Sequence, residues 1–432
     1  MTATHGISRL LGSVEMARAF TLASLGAVFA SFAIERMTSQ VTMATIIAVL
    51  CLIGAAILWV RREELSALRI APSSLFAFLG WALLSLLWTS DRTETAFGWL
   101  SLAGYAFLAL TIGHIRDTLQ TVRALGDTLR VLLSVSLGLE IVSGILLDLP
   151  FTLLGIEGNL PIGGPLQGIF GSRNMLGFIA VLALITFVIE WRTQSVSRAL
   201  AIPSIALAAG LAFLSSSPTV LVLAAAVGIV TFALTLVRHA RPERRSMVQW
   251  TLGTLVAVAL TAAFVLRHQI IALLDAGSDF SIRADLWNKI LDFVALKPIE
   301  GWGWFGSWAR GEYPFTFINF QLEDRHQSAL NAYFDILLQL GAAGLVLFLI
   351  LGGVALVRSW LVASIRRSVV YAWTPITLVT LAVDSMFESF TVVGAGWFLL
   401  VLCALRAGQS RSWRENIDAA QTGAIPTLRS EH

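Results

Sequence analysis

Long apolar runs alternate with short polar breaks along almost the whole chain. A helix needs about 20 apolar residues to cross the hydrocarbon core of a bilayer. On that measure the pattern predicts spans at 16–35, 41–60, 71–89, 96–113, 128–148, 174–190, 198–215, 218–237, 249–267, 327–357, 370–389 and 393–407. The expected fold class is an all-α polytopic membrane protein of about twelve transmembrane helices, with one large outer (periplasmic) loop containing short helices. The fourth run is diluted by Gly98, Gly104 and Gly113, and the tenth is long enough to predict a tilt or a break near Gly352-Gly353.

Composition agrees with that pattern. Of the 432 residues, 56% are hydrophobic and 13% charged, well below the charged share of a soluble domain. Basic residues stay on the cytoplasmic side during insertion. With the N-terminus inside, 21 of the 30 basic residues fall in cytoplasmic segments, among them Arg61, Arg62, Arg116, Arg238, Arg366, Arg367 and Arg406. The expected organisation is a cytoplasmic N-terminus (1–15), a single transmembrane domain (16–407) carrying the large periplasmic loop 268–325, and a cytoplasmic tail (408–432). No short apolar stretch with a small-residue cleavage site opens the chain, so no cleaved signal peptide is expected. Cys51 and Cys403 fall in separate spans, which indicates neither a disulfide framework nor a cysteine metal site. The net charge of +3 follows from topology and gives no argument for nucleic acid as a partner.

The large loop has its own order. In ADLWNKILDFVAL (284–296), Leu286, Ile290 and Phe293 share one helical face, and Lys297-Pro298 ends the helix. GWGWFGSW (301–308) follows, and because tryptophan favours the bilayer–water interface, this loop is expected to lie folded on the outer membrane surface.

Three predicted helices open on the outer side with polar sequences: Gly171-Ser172-Arg173-Asn174, Ser215-Ser216-Ser217-Pro218-Thr219, and Asp324-Arg325-His326-Gln327-Ser328. A helix N-terminus offers unpaired N–H groups and the positive end of a dipole, and both favour an anion. Arg173, Arg283 and Arg325 add the cations of a phosphate or diphosphate site. Taken singly, Asn174 and Ser217 read as ordinary N-caps, and capping is the preferred reading for Ser217 and Pro218. His326 is the candidate base. It sits among Glu323, Asp324 and Arg325, and an adjacent arginine and a helix N-terminus would both keep its ring neutral and able to accept a proton. The competing reading is an interfacial histidine that only satisfies its loop. The outer loops contain neither Asp-x-Asp nor His-x-x-x-His, so no metal and no cofactor are expected. Glu140, Asp335, Asp384 and Glu388 fall within predicted spans, where charges are costly and are functional or paired by default. Asp335 lies about 13 Å along a helix from His326, too far to be its direct partner.

The order and placement of several short motifs resemble the O-antigen ligase and polysaccharide polymerase superfamily of bacterial membrane glycosyltransferases. They are GIFGSRNMLG (168–177), Arg283 followed by Trp287, GWGWFG (301–306), and His326 leading into LQLGAAGLVLF (338–348). The resemblance implies a multi-pass protein of the bacterial inner membrane with both termini cytoplasmic. It also implies an undecaprenyl-diphosphate-linked glycan as donor, with His326 as general base and no metal required. Diphosphate binding falls on Arg283 and Arg173, with Arg325 a further candidate, and Asn174, Trp287 and Ser217 are further substrate contacts. The chain departs from the family in two places. His326-Gln327 stands where His-Asn is usual. Pro218-Thr219 stands where many members carry an arginine, which leaves the site one cation short unless Arg173 or Arg325 supplies it.

The reading that follows is an enzyme that transfers the glycan to a sugar hydroxyl at the outer face, with inversion. A lipid-linked repeat as acceptor makes it an exopolysaccharide or O-antigen polymerase, and Leu330–Gly344 leans that way. Lipid A-core as acceptor makes it a ligase. Membrane lipids surround it, and a chain-length regulator is a further candidate partner. A transporter or flippase of the same lipid-linked sugars is the alternative, and it predicts repeated halves and helices broken at mid-membrane. A non-catalytic assembly subunit would leave the histidine and arginines without a task.

Overall fold

The computed structural model describes residues 9–64, 71–266, 278–308 and 311–409. The first residues, the 268–277 end of the large loop, Arg310 and most of the tail assigned to the cytoplasm lie outside that set. Among the described residues the fold is all-helical: α1 Val14–Phe29, α2 Ser31–Met37, α3 Gln40–Val60, α4 Ser73–Leu84, α5 Arg92–Ile115, α6 Thr118–Ile141, α7 Arg173–Arg192, α8 Arg198–Leu214, α9 Pro218–His239, α10 Pro242–Val265, α11 Ser278–Val294, α12 Phe315–Leu322, α13 Ala332–Ile365, α14 Trp373–Asp384 and α15 Gly394–Gln409.

Every predicted span meets a helix, but six of these helices are long and apolar enough to cross a membrane, or seven if the pair α1 and α2, bent by 70°, forms one span. Four others (Ser73–Leu87, α8, Val369–Asp384 and α15) are apolar but short. At 1.5 Å per residue, a helix of 16 residues rises only about 24 Å, less than the roughly 30 Å hydrocarbon core. They complete the bundle by packing. α15 is buried along nearly its whole length, and its Trp397 donates Nε1–H to Leu102 O (2.9 Å) in α5.

Local sequence sets the helix starts. Asp117 and Gln120 form a reciprocal capping box for α6, and Asp91 accepts from Thr93 N and Glu94 N for α5. α7 is the central helix, buried along most of its length from Leu176 to Glu190. At the far end of α13, Arg238 donates to Arg366 O (2.9 Å), Arg367 O (2.6 Å) and Ser368 O (3.2 Å). At the end of α5, Arg406 donates to Arg116 O (2.5 Å). These guanidinium groups satisfy carbonyls that the helix ends leave without partners.

Two expectations about the tenth span are corrected. The helix does not begin at residue 327: Asn331 is its N-cap, accepting from Tyr333 N (2.9 Å) and Phe334 N (3.1 Å), so α13 starts at Ala332. Nor does it break near Gly352-Gly353. The break is at Gly341, with φ 66° and ψ −170°. The segment 298–303 is inserted there. Trp302 N and Gly303 N donate to Leu338 O (3.1 Å) and Gln339 O (2.8 Å), and Ala342 N and Ala343 N donate to Pro298 O (2.8 Å) and Ile299 O (3.2 Å). Trp81 Nε1–H covers Leu340 O (2.9 Å). Irregular backbone at membrane depth is tolerated only where it is buried in protein and its polar groups are paired, and this insertion meets both conditions.

The same insertion corrects the placement of GWGWFGSW. Trp304 is fully buried against Phe78, and Phe305 and Trp308 are buried too. The side chain of Gln339 receives Phe305 N (2.8 Å) and Gly306 N (3.0 Å). Trp304 and Trp308 fill the protein interior, and Trp302 is half-buried, because the break in α13 offers backbone partners that a membrane surface does not. By contrast, α11 behaves as its pattern predicts: Leu286, Ile290 and Phe293 are buried and form a second apolar cluster with Trp308, Phe315 and Ile318.

Gly341→Ala tests the insertion. The conformation is one that essentially only glycine adopts, at a cost of roughly 1–3 kcal/mol for other residues, and an added Cβ would stand 2.1 Å from Ile299 O. A clear fall in melting temperature in detergent is expected. Gly353→Ala, where nothing lies within 4 Å of an added Cβ, should leave it unchanged or slightly raised. Equal melting temperatures for the two variants would rule out a break held by this contact.

Candidate functional site

Helix starts and loops far apart in sequence meet at one end of the bundle. From α11, Arg283 donates through Nη1 to Leu330 O (3.0 Å) and Phe387 O, and through Nη2 to Glu388 Oε1 (3.0 Å). Glu388 Oε1 also accepts from Asn174 Nδ2 (2.6 Å) near the start of α7. Asn174 Oδ1 accepts from Ser217 Oγ (2.7 Å), which lies 2.7 Å from Thr219 Oγ1 at the start of α9. A continuous polar chain thus runs from α9 through α7 and the 385–393 turn to α11. Arg283 and Glu388 are both largely buried, with side chains 16% and 6% exposed.

The capping reading of Asn174 is corrected here, while Ser217 and Pro218 take the N-cap and first helical positions expected of them. The cap of α7 is Ser172, whose Oγ accepts from Met175 N (3.1 Å), and Asn174 is the second helical residue. Ser217 occupies the N-cap position of α9 but makes no side-chain cap bond. Its hydroxyl is engaged by Asn174 and Thr219 instead. Arg173 is the first residue of α7 and sits beside this chain. Trp287, one turn after Arg283, donates Nε1–H to Ala329 O (2.9 Å) and stacks on Phe334, with ring centroids 5.4 Å apart.

His326 lies in the loop before α13, not at a helix start. Asn319 of α12 grips its backbone from both sides, accepting from His326 N (3.0 Å) and donating to His326 O (2.9 Å). The ring is 9% exposed, with Nε2 3.4 Å from Asp324 Oδ2. Its pKa lies below the ordinary 6.5. Burial is the main cause and Arg283 adds to it, while Asp324 opposes both. The ring is therefore neutral near pH 7, though burial supplies what was expected of a helix dipole. That dipole is unavailable to an anion as well, since Ala332 N donates to Ser385 O (2.9 Å) and Asn331 fills the next two N–H groups. Arg325 is exposed, and its backbone N–H donates to Asp324 Oδ1 (2.6 Å).

The loop is fixed from behind by Asp335. Its carboxylate accepts from Trp308 Nε1 (2.7 Å), Ala329 N (3.0 Å) and Ser389 Oγ, a supporting role that does not involve the His326 ring. Glu140 likewise serves the backbone, accepting from Gln167 N (3.2 Å) and Gly168 N (2.9 Å) and so seating the turn that leads into α7.

Sequence reasoning did not assign Glu388, Asn319 or Asp324 to the site. An ionisable residue in a predicted span was a signal for Glu388. Nothing in the local sequence distinguishes Asn319.

No curated protein matches the chain. Residues 203–349 match the family model described as O-Antigen ligase. This segment runs from within α8 to within α13 and takes in Ser217, Arg283, Trp287, the inserted 298–303 and His326. The apolar helices and this match together identify an integral membrane protein. Through the segment that carries both Arg283 and His326, the chain is similar to the O-antigen ligase family.

Proposed function

We propose that this protein transfers a glycan from undecaprenyl diphosphate to a sugar hydroxyl at the periplasmic face of the bacterial inner membrane. The observation that carries this reading is the convergence of Arg283 with the His326 loop, at a site also joined by the starts of α7 and α9. In this reading His326 accepts the proton of the acceptor hydroxyl. With Nε2 directed at Asp324, Nδ1 is the nitrogen left to take it. The acceptor oxygen attacks the anomeric carbon, the bond from that carbon to the phosphate oxygen breaks, and the lipid diphosphate leaves with inversion. Arg283 and Arg173 stabilise the charge on the leaving group, the work expected of fixed cations in a water-poor site without a divalent ion. Arg325 is exposed and better placed to meet the incoming donor than to hold it. Asn174, Ser217 and Trp287 line the approach.

The break in α13 is a feature that a transporter also predicts. The carbonyls of Leu338, Gln339 and Leu340 and the amides of Ala342 and Ala343 are already paired with 298–303 and Trp81, so these groups are not open to an ion or substrate. Transferase is the better reading for that reason. Between polymerase and ligase, the exopolysaccharide-like segment Leu330–Gly344 favours a polymerase. Incubating the purified protein with a lipid-diphosphate repeat unit, with and without lipid A-core, decides it: a ladder from donor alone supports the polymerase, and a single addition to lipid A-core replaces it with the ligase.

A further inference from the structure

Arg283 is the centre of the proposed diphosphate site, yet much of it is already occupied. A guanidinium has five N–H donors. Three of Arg283's are engaged by Leu330 O, Phe387 O and Glu388 Oε1, which leaves two for a ligand. The two carbonyl bonds anchor the side chain. The third brings a buried carboxylate to within 3.0 Å of the cation that is to receive an anion. The groups facing this carboxylate are Arg283, the Asn174 amide and Asp384, one turn earlier in the chain. Asp384 is itself buried, with neither side-chain oxygen hydrogen-bonded.

A carboxylate in this position weakens the binding of every anion at Arg283, but not equally. The donor's diphosphate is esterified at both ends. When the bond from the anomeric carbon to phosphate breaks, the leaving diphosphate keeps the electron pair and gains a free terminal oxygen, so the product carries more negative charge than the donor. Arginines alone would hold the product more tightly than the substrate and stall turnover. Coulomb repulsion from a fixed neighbouring carboxylate rises with the ligand's charge and acts hardest on the product.

We infer that Glu388 is a specificity-determining residue of the diphosphate site, set against Arg283 so that the diphosphate diester is retained and the diphosphate monoester released. Its bond to Asn174 fixes the carboxylate in place and extends that control to the start of α7. This inference rests on the diphosphate reading given above and adds to it the direction of discrimination.

The test uses the full-length protein in detergent, with binding followed by intrinsic tryptophan fluorescence. The probes are farnesyl diphosphate, a monoester, and farnesyl-diphospho-N-acetylglucosamine, a diester. The unaltered protein is expected to bind the diester at least as tightly as the monoester. Glu388→Gln keeps a carbonyl oxygen for Arg283 and Asn174 but removes the charge. It should tighten the monoester by about tenfold or more and the diester by less, with slower multiple turnover relieved by removing product. A purely structural Glu388 would give unchanged or weaker binding of both probes, and that result overturns the inference. If Glu388→Gln does not fold, the unaltered protein still decides: a monoester bound more tightly than the diester overturns it. If neither probe binds, or Arg283→Ala binds both as well as the unaltered protein, the diphosphate reading itself fails, and the inference falls with it.

Discussion

Replacing Arg283 by alanine is expected to abolish measurable transfer and to destabilise the protein. Both effects come from the same guanidinium. Removing a fixed cation from a developing negative charge costs roughly 10²–10³ in rate, as with the loss of one oxyanion donor. The structural cost is separate. Arg283 ties α11 to the carbonyls of Leu330 and Phe387, and it neutralises Glu388, whose side chain is only 6% exposed. Breaking a buried ion pair by deleting one partner typically costs about 3–5 kcal/mol, because the remaining charge is left uncompensated. Arg283→Lys separates the two contributions. A lysine keeps the charge opposite Glu388 and should recover much of the melting temperature. It presents a point charge where the site uses a planar fork, so it cannot span two carbonyls and a carboxylate together. Activity should therefore stay low while stability returns. A lysine variant with full kcat/KM would contradict the role given to the fork.

Replacing His326 by alanine should cost activity alone, lowering kcat by about 10²–10⁴ while the melting temperature hardly moves. The backbone of residue 326, not its ring, carries the structural bonds, since Asn319 holds its N–H and C=O. The ring's contact with Asp324 is with a side chain that is 56% exposed. The pH profile gives a second readout. Proton acceptance requires the neutral ring, and burial holds the His326 pKa below 6.5. The rate should be flat from neutral pH down to about 6.5 and fall about tenfold per unit below the depressed pKa. Asp324 is the influence that raises this pKa, so Asp324→Asn should move the acidic limb to still lower pH. An acidic limb centred above 6.5 would show that the ring is not buried as described.

How much of this was readable beforehand differs by element. The 3.6-residue period of 284–296 was sufficient to place Leu286, Ile290 and Phe293 inside, because an amphipathic helix has only one apolar face to bury. Arg283 and His326 were recognisable as polar groups in an apolar chain, and Arg283 bonds to Leu330 O in the loop that carries His326. The break at Gly341 was hidden because LQLGAAGLVLF is as apolar as any continuous span. What breaks it is a segment some forty residues earlier, at 298–303. For the same reason GWGWFG read as an interfacial motif: tryptophan suits both interface and core, and only the tertiary partner chooses between them. The start of α13 was misplaced because QSALNAYF has no strong breaker. Asn331 sets the boundary through two backbone bonds that its identity permits but does not announce. Glu388 could be marked as a charge needing a partner. That its partners would be Arg283 and Asn174, more than a hundred residues away, depends on the packing of α7, α11 and α14.

The most direct test of the central claim is glycan transfer by the purified protein in detergent with EDTA present. The donor is a polyprenyl-diphosphate repeat unit, offered with lipid-linked repeat and lipid A-core acceptors, and the unaltered protein is compared with His326→Ala and Arg283→Ala. Product from the unaltered protein, and from neither variant, is the predicted result. No product with a verified donor and both acceptors, or equal product from all three proteins, would contradict the site and bring the transporter reading forward.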